Sequence, residues 1–166
     1  MKIGNVLKWA VFLRYAYILG KEKAIQALNK LSLEDAFDFE LSRVYQIRIN
    51  WNQKTIDLLI DLWVINNTSL PFQKADGYIK LTQLVIFYKN KKIGQADLNQ
   101  FPLSFRPHER KLVRGIPVKL YVGDFQLLKE IAGRWPDIEL TYKVTFNIAN
   151  KNFEYENTYN LKNFTS

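Results

Sequence analysis

The chain has 166 residues, of which 48% are apolar, so it can fold around one sizeable core. Lys and Arg outnumber Asp and Glu by 24 to 16, which gives a formal net charge of +8. There is no cysteine and one histidine, His108, which excludes a disulfide scaffold, thiolate zinc and iron–sulfur sites, and a cysteine nucleophile. We therefore expect a protein that is not an enzyme, with no catalytic residue, no metal site and no cofactor.

The positive charge is concentrated in two zones. Residues 1–31 hold six basic residues against one acid, and residues 105–123 hold five against one. Such zones attract phosphate, anionic lipid or an acidic protein surface, although a charge pattern that only aids solubility is the alternative. In the second zone, the candidate anion-binding residues are Arg106, Arg110, Lys111 and Arg114.

The N-terminal segment, residues 1–35, is predicted to be a helical arm with an interruption near Gly20. Its apolar part, residues 6–19, is broken by Lys8 and Arg14. A membrane-spanning helix needs about 20 mostly apolar residues, and a secretory signal needs an unbroken apolar centre of about 7–15. We therefore expect neither a transmembrane span nor a cleavable signal, and a protein that is cytoplasmic or assembled in a particle.

The sequence is compatible with three locations for this arm. It covers an apolar face of its own domain, docks into a neighbouring subunit, or lies on a membrane surface. The outer face of the second predicted strand is half apolar and needs a cover, so its tryptophan is included among the docking residues. The candidate partner-docking residues are Lys8, Trp9, Phe12, Arg14, Tyr15, Tyr17 and Trp63.

From residue 36 onward, apolar residues alternate with polar ones, which is typical of half-buried β-strands. The alternation predicts strands over 37–51, 55–65, 78–88, 93–98, 112–122, 138–148 and 153–161. One short helix is predicted after Asp124, with Phe125, Leu128 and Ile131 on its buried face. Residues 36–166 are therefore predicted to form a mainly β domain, a seven-stranded antiparallel sandwich of immunoglobulin or fibronectin type.

The order of these elements resembles the late-embryogenesis-abundant type 2 family, also called the water-stress and hypersensitive-response domain. The resemblance covers roughly residues 37–162. Its local features are a strand leading into Asn66-Asn67-Thr68-Ser69-Leu70-Pro71, a hairpin with Lys92-Ile93-Gly94, a long apolar strand, a short helix with Phe125-Gln126-Leu127-Leu128, and a closing hairpin. The resemblance implies an immunoglobulin-like or fibronectin-like sandwich and a binding, protective or structural role without catalysis.

Side chains that could act in acid–base chemistry are few. Glu154 and Glu156 form one pair on a strand face, and Asp57 and Asp61 form another. Both pairs alternate with core residues, so we interpret them as solvated outer faces. His108 follows a proline in a basic loop, and no nucleophile can be placed beside it from the sequence.

These observations favour a non-enzymatic structural or binding subunit whose arm docks the sandwich into a larger assembly, with protein partners or a homo-oligomer. A bacteriophage tail or neck component is a candidate setting. One alternative is a stand-alone stress-protective or lipid-associated protein of the late-embryogenesis-abundant type 2 kind, in which an anionic membrane surface is the partner. A nucleic-acid-binding module is the third reading, and it is disfavoured because Phe105 is the sole aromatic residue beside the 106–114 cations.

Overall fold

The computed structural model describes residues 36–67, 72, 79–148 and 151–164. The predicted arm, residues 1–35, lies outside these residues, as does the segment 68–71 that contributes to the family resemblance. The candidate docking residues outside the described part are Lys8, Trp9, Phe12, Arg14, Tyr15 and Tyr17.

The described chain is mainly β, with seven antiparallel strands and one short α-helix, as the alternation predicted. The strands are β1 (Phe37–Asn50), β2 (Thr55–Asn66), β3 (Ile79–Tyr88), β4 (Lys91–Leu103), β5 (Arg110–Tyr121), β6 (Glu139–Ile148) and β7 (Lys151–Asn160). Helix α1 (Phe125–Arg134) lies between β5 and β6, and a 3-10 turn (Leu161–Phe164) follows β7. The strands form one sheet in the order β1-β2-β5-β4-β3-β6-β7.

The sheet curls into a half-barrel, so strands that are distant in the sheet order meet across the core. The ring of Phe146 on β6 lies 4.9 Å from that of Phe39 and 6.2 Å from that of Phe37, both on β1. The hydroxyl of Tyr142, also on β6, donates a hydrogen bond to the backbone carbonyl of Phe39. These contacts close one apolar interior between β1 and β6.

The alternation of inward-facing and outward-facing residues along each strand explains which side chains form the core. Successive residues of a strand point to opposite faces, so every second residue reaches the interior. On β2 the buried apolar residues are Ile56, Leu58, Ile60, Leu62 and Val64, and on β6 they are Leu140, Tyr142, Val144, Phe146 and Ile148. All of these positions are the ones that the sequence pattern assigned to the core.

The antiparallel register defines two ends of the sheet. At the arm end, β1 begins at Phe37 opposite Asn66, and β5 begins at Arg110 opposite Ile65. At the tip end, the β1–β2 turn, the β3–β4 turn and α1 lie together. The β3–β4 turn consists of Lys89 and Asn90, both with positive φ, which is the geometry of a tight two-residue hairpin.

Helix α1 begins as predicted, because the carboxylate of Asp124 accepts hydrogen bonds from the backbone N–H groups of Gln126 and Leu127 at 2.8 and 3.3 Å. Leu128 and Ile131 are the buried residues of the helix, as predicted. The prediction that Phe125 shares this buried face is wrong, since its side chain is 49% exposed. Among the residues that the structure describes, no helix has the length and apolarity that crossing a membrane requires.

Candidate interaction surface

The arm end carries an open groove at the seam between β4 and β5. These strands pair at only two positions, Gly94 with Leu120 and Gln95 with Lys119. Beyond these pairs, β4 stays with β3 and β5 stays with β2, so the two strands diverge toward the arm end. The resulting groove has a volume of about 520 Å³.

The groove has an apolar floor and a charged rim. Its floor includes Leu98, Leu103 and Ile116, which belong to the core, while Val113 is only half-buried and Phe101 is 51% exposed. Its rim includes Lys111, Arg114 and Asp97. Apolar surface that the described chain leaves uncovered, flanked by cations, is typical of a binding surface.

The strand edges that border the groove are unsuited to pairing with another strand. Pro102 on β4 and Pro117 on β5 have no backbone N–H to donate, and Asn99 and Gln100 have positive φ. Prolines and bulges at an exposed edge oppose the addition of a strand. The groove is therefore better suited to apolar side chains of a partner than to an extended backbone. Pro102 also lies within β4, which extends beyond the predicted end at residue 98.

Two of the four candidate anion-binding residues meet at this groove. The ammonium of Lys111 lies 3.4 Å from the hydroxyl of Ser104 and 5.6 Å from the ring centroid of Phe105, and Arg114 is exposed on the same rim. Phe105 itself is fully buried, so it offers no ring for stacking by a base. The two cations are available to a carboxylate or phosphate on a bound partner.

Arg110 points to the other face of β5, because it precedes Lys111 in an extended strand. Its guanidinium lies 4.8 Å from the ring centroid of Trp63 on β2 and 3.6 Å from the carboxylate of Glu40 on β1. The structure thus brings together Trp63 and Arg110, which the sequence had singled out separately. Arginine over a half-buried tryptophan is a combination enriched at protein interfaces.

The fourth cation, Arg106, is exposed in the loop between β4 and β5. Its backbone N–H donates to the carboxylate of Glu109 at 2.6 Å, and its carbonyl accepts from the side chain of Asn66 at 3.0 Å. The loop is therefore fixed to the end of β2. The neighbouring His108 is exposed, and the described residues contain no cluster of three or more His, Cys, Asp or Glu that could hold a metal ion.

A buried carboxylate near the groove was not anticipated. Asp61, interpreted from the sequence as part of a solvated face, is only 7% exposed. It lies where β5 carries one extra residue relative to β2, and its carboxylate accepts the backbone N–H of Gly115, whose φ is +67°, at 2.8 Å. Burial, together with the hydrogen bond to Asp61, raises the pKa of the Tyr45 hydroxyl. By contrast, Asp57 is partly exposed and lies 3.6 Å from the ammonium of Lys119.

No family model matches the chain, and no curated protein matches it. A solved structure described as a protein from Archaeoglobus fulgidus is similar over 73% of this chain and 97% of its own, with 14% sequence identity and a TM-score of 0.37. A TM-score this low does not define a shared fold.

Proposed function

We propose that this chain is a non-catalytic binding subunit whose residues 1–35 dock its β-rich body into a larger multi-subunit assembly. The observation that carries the proposal is the attachment point of the arm. Phe37, the first residue of β1, is fully buried, and its ring packs at 5.0 Å from that of Phe72 and 5.6 Å from that of Phe105. The arm therefore joins the body at a fixed point, on the same end as the groove and the basic residues.

The arm and the arm end of the body have matching properties. The arm is aromatic and basic, and the body contributes a half-apolar groove with Lys111 and Arg114 on its rim and the Trp63–Arg110 pair beyond it. Aromatic residues and arginine supply most of the binding energy at protein interfaces. We propose that a partner with an acidic surface contacts both elements.

We also propose that the body is a sandwich of immunoglobulin or fibronectin type, related to the late-embryogenesis-abundant type 2 family. The strand order supports this, because the sheet divides at the weakly paired seam into β1-β2-β5 and β4-β3-β6-β7. Two such layers of three and four strands make a sandwich. A module of this kind fits a repeating assembly such as a bacteriophage tail or neck.

The proposal is tested by the mass of the full chain in solution at near-physiological salt, purified alone and from native lysate. We expect the wild-type chain in a large assembly, and a variant with Trp9→Ala, Phe12→Ala and Tyr15→Ala as a folded monomer. The control is Phe125→Ala, which removes an exposed aromatic ring from the opposite end and leaves assembly unchanged. A triple variant that assembles normally would contradict docking by the arm, and a monomeric wild-type chain without partners would favour the stand-alone alternative.

A further inference from the structure

The tip end carries a second exposed apolar surface that docking by the arm does not use. Within the described residues, five large apolar side chains are more than one third exposed. Phe101 is at the groove, and the other four belong to the tip end: Ile49 at 37%, Trp51 at 45%, Tyr121 at 62% and Phe125 at 49%. We call these four residues the tip surface. Together they expose on the order of 300–400 Å² of mostly aromatic surface at this end of the body.

The tip surface is held by contacts within the fold. The rings of Trp51 and Phe125 lie 6.0 Å apart, which joins the β1–β2 turn to the start of α1. The backbone N–H of Val122 donates to the carbonyl of Lys54 at 3.1 Å, and Tyr121 is directly opposite Thr55 in the sheet. These contacts fix the β1–β2 turn to the end of β5 and to the start of α1. Tyr121, which lies between the buried Leu120 and Val122, projects from the outer face of β5 beside Lys119.

Cations surround the tip surface. The ammonium of Lys91 lies 3.5 Å from the carbonyl of Val122, and that of Lys119 lies 6.0 Å from the ring centroid of Tyr121. Lys54 belongs to the turn itself, and Arg48 borders Trp51. Three carboxylates lie at the tip end, and all are engaged: that of Asp57 with Lys119, that of Asp124 in capping α1, and that of Glu130 with Lys89 of the β3–β4 turn. The five cations named here, with Lys89, outnumber these three carboxylates.

Tryptophan, tyrosine and phenylalanine at the ends of loops, next to lysines, form the pattern that favours a membrane interface. Aromatic rings partition into the headgroup region, and lysine keeps its ammonium in water while its methylene stem covers apolar surface. The centre of a protein–protein interface is instead depleted in lysine. We propose that the tip surface binds an anionic bilayer, with its aromatic rings in the headgroup region and its lysines near lipid phosphates.

This inference goes beyond the docking function, because the tip end is opposite the arm end. A chain held in an assembly by its arm would present the tip surface away from that attachment. The body would then bridge an assembly and a lipid surface. Membrane binding by the tip would be reversible and sensitive to salt, since it depends on a few aromatic rings and on charge.

The test is co-sedimentation of the full chain with vesicles of phosphatidylcholine alone and of phosphatidylcholine with one third phosphatidylserine. We expect binding to the serine-containing vesicles that weakens as salt is raised. A Trp51→Ala and Phe125→Ala double variant should bind at least tenfold more weakly. Phe101→Ala, which removes an equally exposed ring at the other end, should bind like the wild-type chain. Urea unfolding checks that each variant folds, and Tyr121→Ser offers a second variant that leaves the β1–β2 turn intact.

The contribution of the tip cations to vesicle binding is tested with separate variants. Lys54→Glu with Lys91→Glu should abolish the preference for phosphatidylserine, while Arg106→Glu with Lys111→Glu at the arm end should retain it. Absence of wild-type binding at low salt, or undiminished binding by both tip variants, would overturn the proposal. So would a tip variant whose only change is a smaller mass in solution, because the tip surface would then be an interface between proteins.

Discussion

The carboxylate of Asp61 accepts a hydrogen bond from the hydroxyl of Tyr45, 3.1 Å away, and so connects β2 to β1. The same carboxylate oxygen accepts the backbone N–H of Gly115 on β5 at 2.8 Å. A single buried side chain therefore links three neighbouring strands, at the point where β5 bulges beside the groove. The bulge places Arg114 on the groove rim, so the rim depends on this carboxylate.

Replacing Asp61 should destabilise the fold. Asp61→Ala leaves the backbone N–H of Gly115 without its acceptor. A buried polar group without a hydrogen-bond partner lowers the free energy of unfolding by about 1–3 kcal/mol. Asp61→Asn should cost less, because the amide oxygen can still accept. Tyr45→Phe removes one of the two bonds and should cost about 0.5–1.5 kcal/mol. Urea unfolding measures all three, and an Asp61→Ala variant as stable as the wild-type chain would show that the bulge holds without the carboxylate.

Gly94 should be intolerant of any side chain. A Cβ at this position would lie 2.5 Å from Cδ2 of Leu120 and 3.0 Å from the backbone carbonyl of Lys119, at one of the two positions where β4 pairs with β5. Gly94→Ala should therefore push the strands apart and cost about 1–3 kcal/mol. Hydrogen exchange should become faster along β4 and β5.

The matched control for this prediction is Gly133→Ala in α1. A Cβ there would meet no atom within 4 Å, and alanine favours a helix over glycine. Its thermal midpoint should equal or exceed that of the wild-type chain. Equal midpoints for the Gly94 and Gly133 variants would mean that the seam is flexible enough to accept a methyl group.

The sequence was sufficient to predict the strands because each has one face in the core, and an alternating pattern records that directly. It could not predict the strand order, which pairs β2 with β5 and β3 with β6, because pairing between distant segments leaves no local pattern. Asp61 was misinterpreted for this reason, since its burial depends on a bulge in β5. Phe125 was predicted on the buried face of α1, but it is exposed because the sheet covers only part of this short helix.

The candidate site was predictable to a similar extent. Four cations within nine residues identified the basic segment. Alternation along the strand is enough to place Arg110 and Lys111 on opposite faces of β5. The contact between Arg110 and Trp63 required knowledge that β2 and β5 are neighbours. The groove was not predictable, because it arises where two strands diverge.

Stability should decline at alkaline pH. Burial raises the pKa values of Tyr142, Tyr155 and Tyr159 above their ordinary value of 10.0. The folded state then retains protons that the unfolded state releases, so the stabilisation is complete below pH 10 and is lost as the pH rises beyond it. Urea midpoints measured across this range should fall for the wild-type chain.

Tyr142→Phe should make this alkaline decline shallower, since it removes the most deeply buried of these hydroxyls. It should also cost about 1–3 kcal/mol at neutral pH, because the buried carbonyl of Phe39 loses its donor. Tyr121→Phe, at an exposed position, should retain the wild-type profile. A Tyr142→Phe profile parallel to that of the wild-type chain would show that this tyrosine does not contribute to the alkaline transition.

Stability should also change at acid pH through Glu130 of α1. Hydrogen bonds from Lys89 at 2.6 Å and from the hydroxyl of Tyr88 at 2.7 Å lower the pKa of Glu130 below its ordinary value of 4.5. The ionised carboxylate is thus favoured in the folded state, and its contribution is complete above pH 4.5 and is lost as the pH falls through the lower, folded value. Glu130→Gln should therefore weaken the acid dependence of the urea midpoint. Glu154→Gln, on the exposed face of β7, should not weaken it, and equal acid dependence in all three proteins would show that the contact between α1 and the β3–β4 turn is absent in solution.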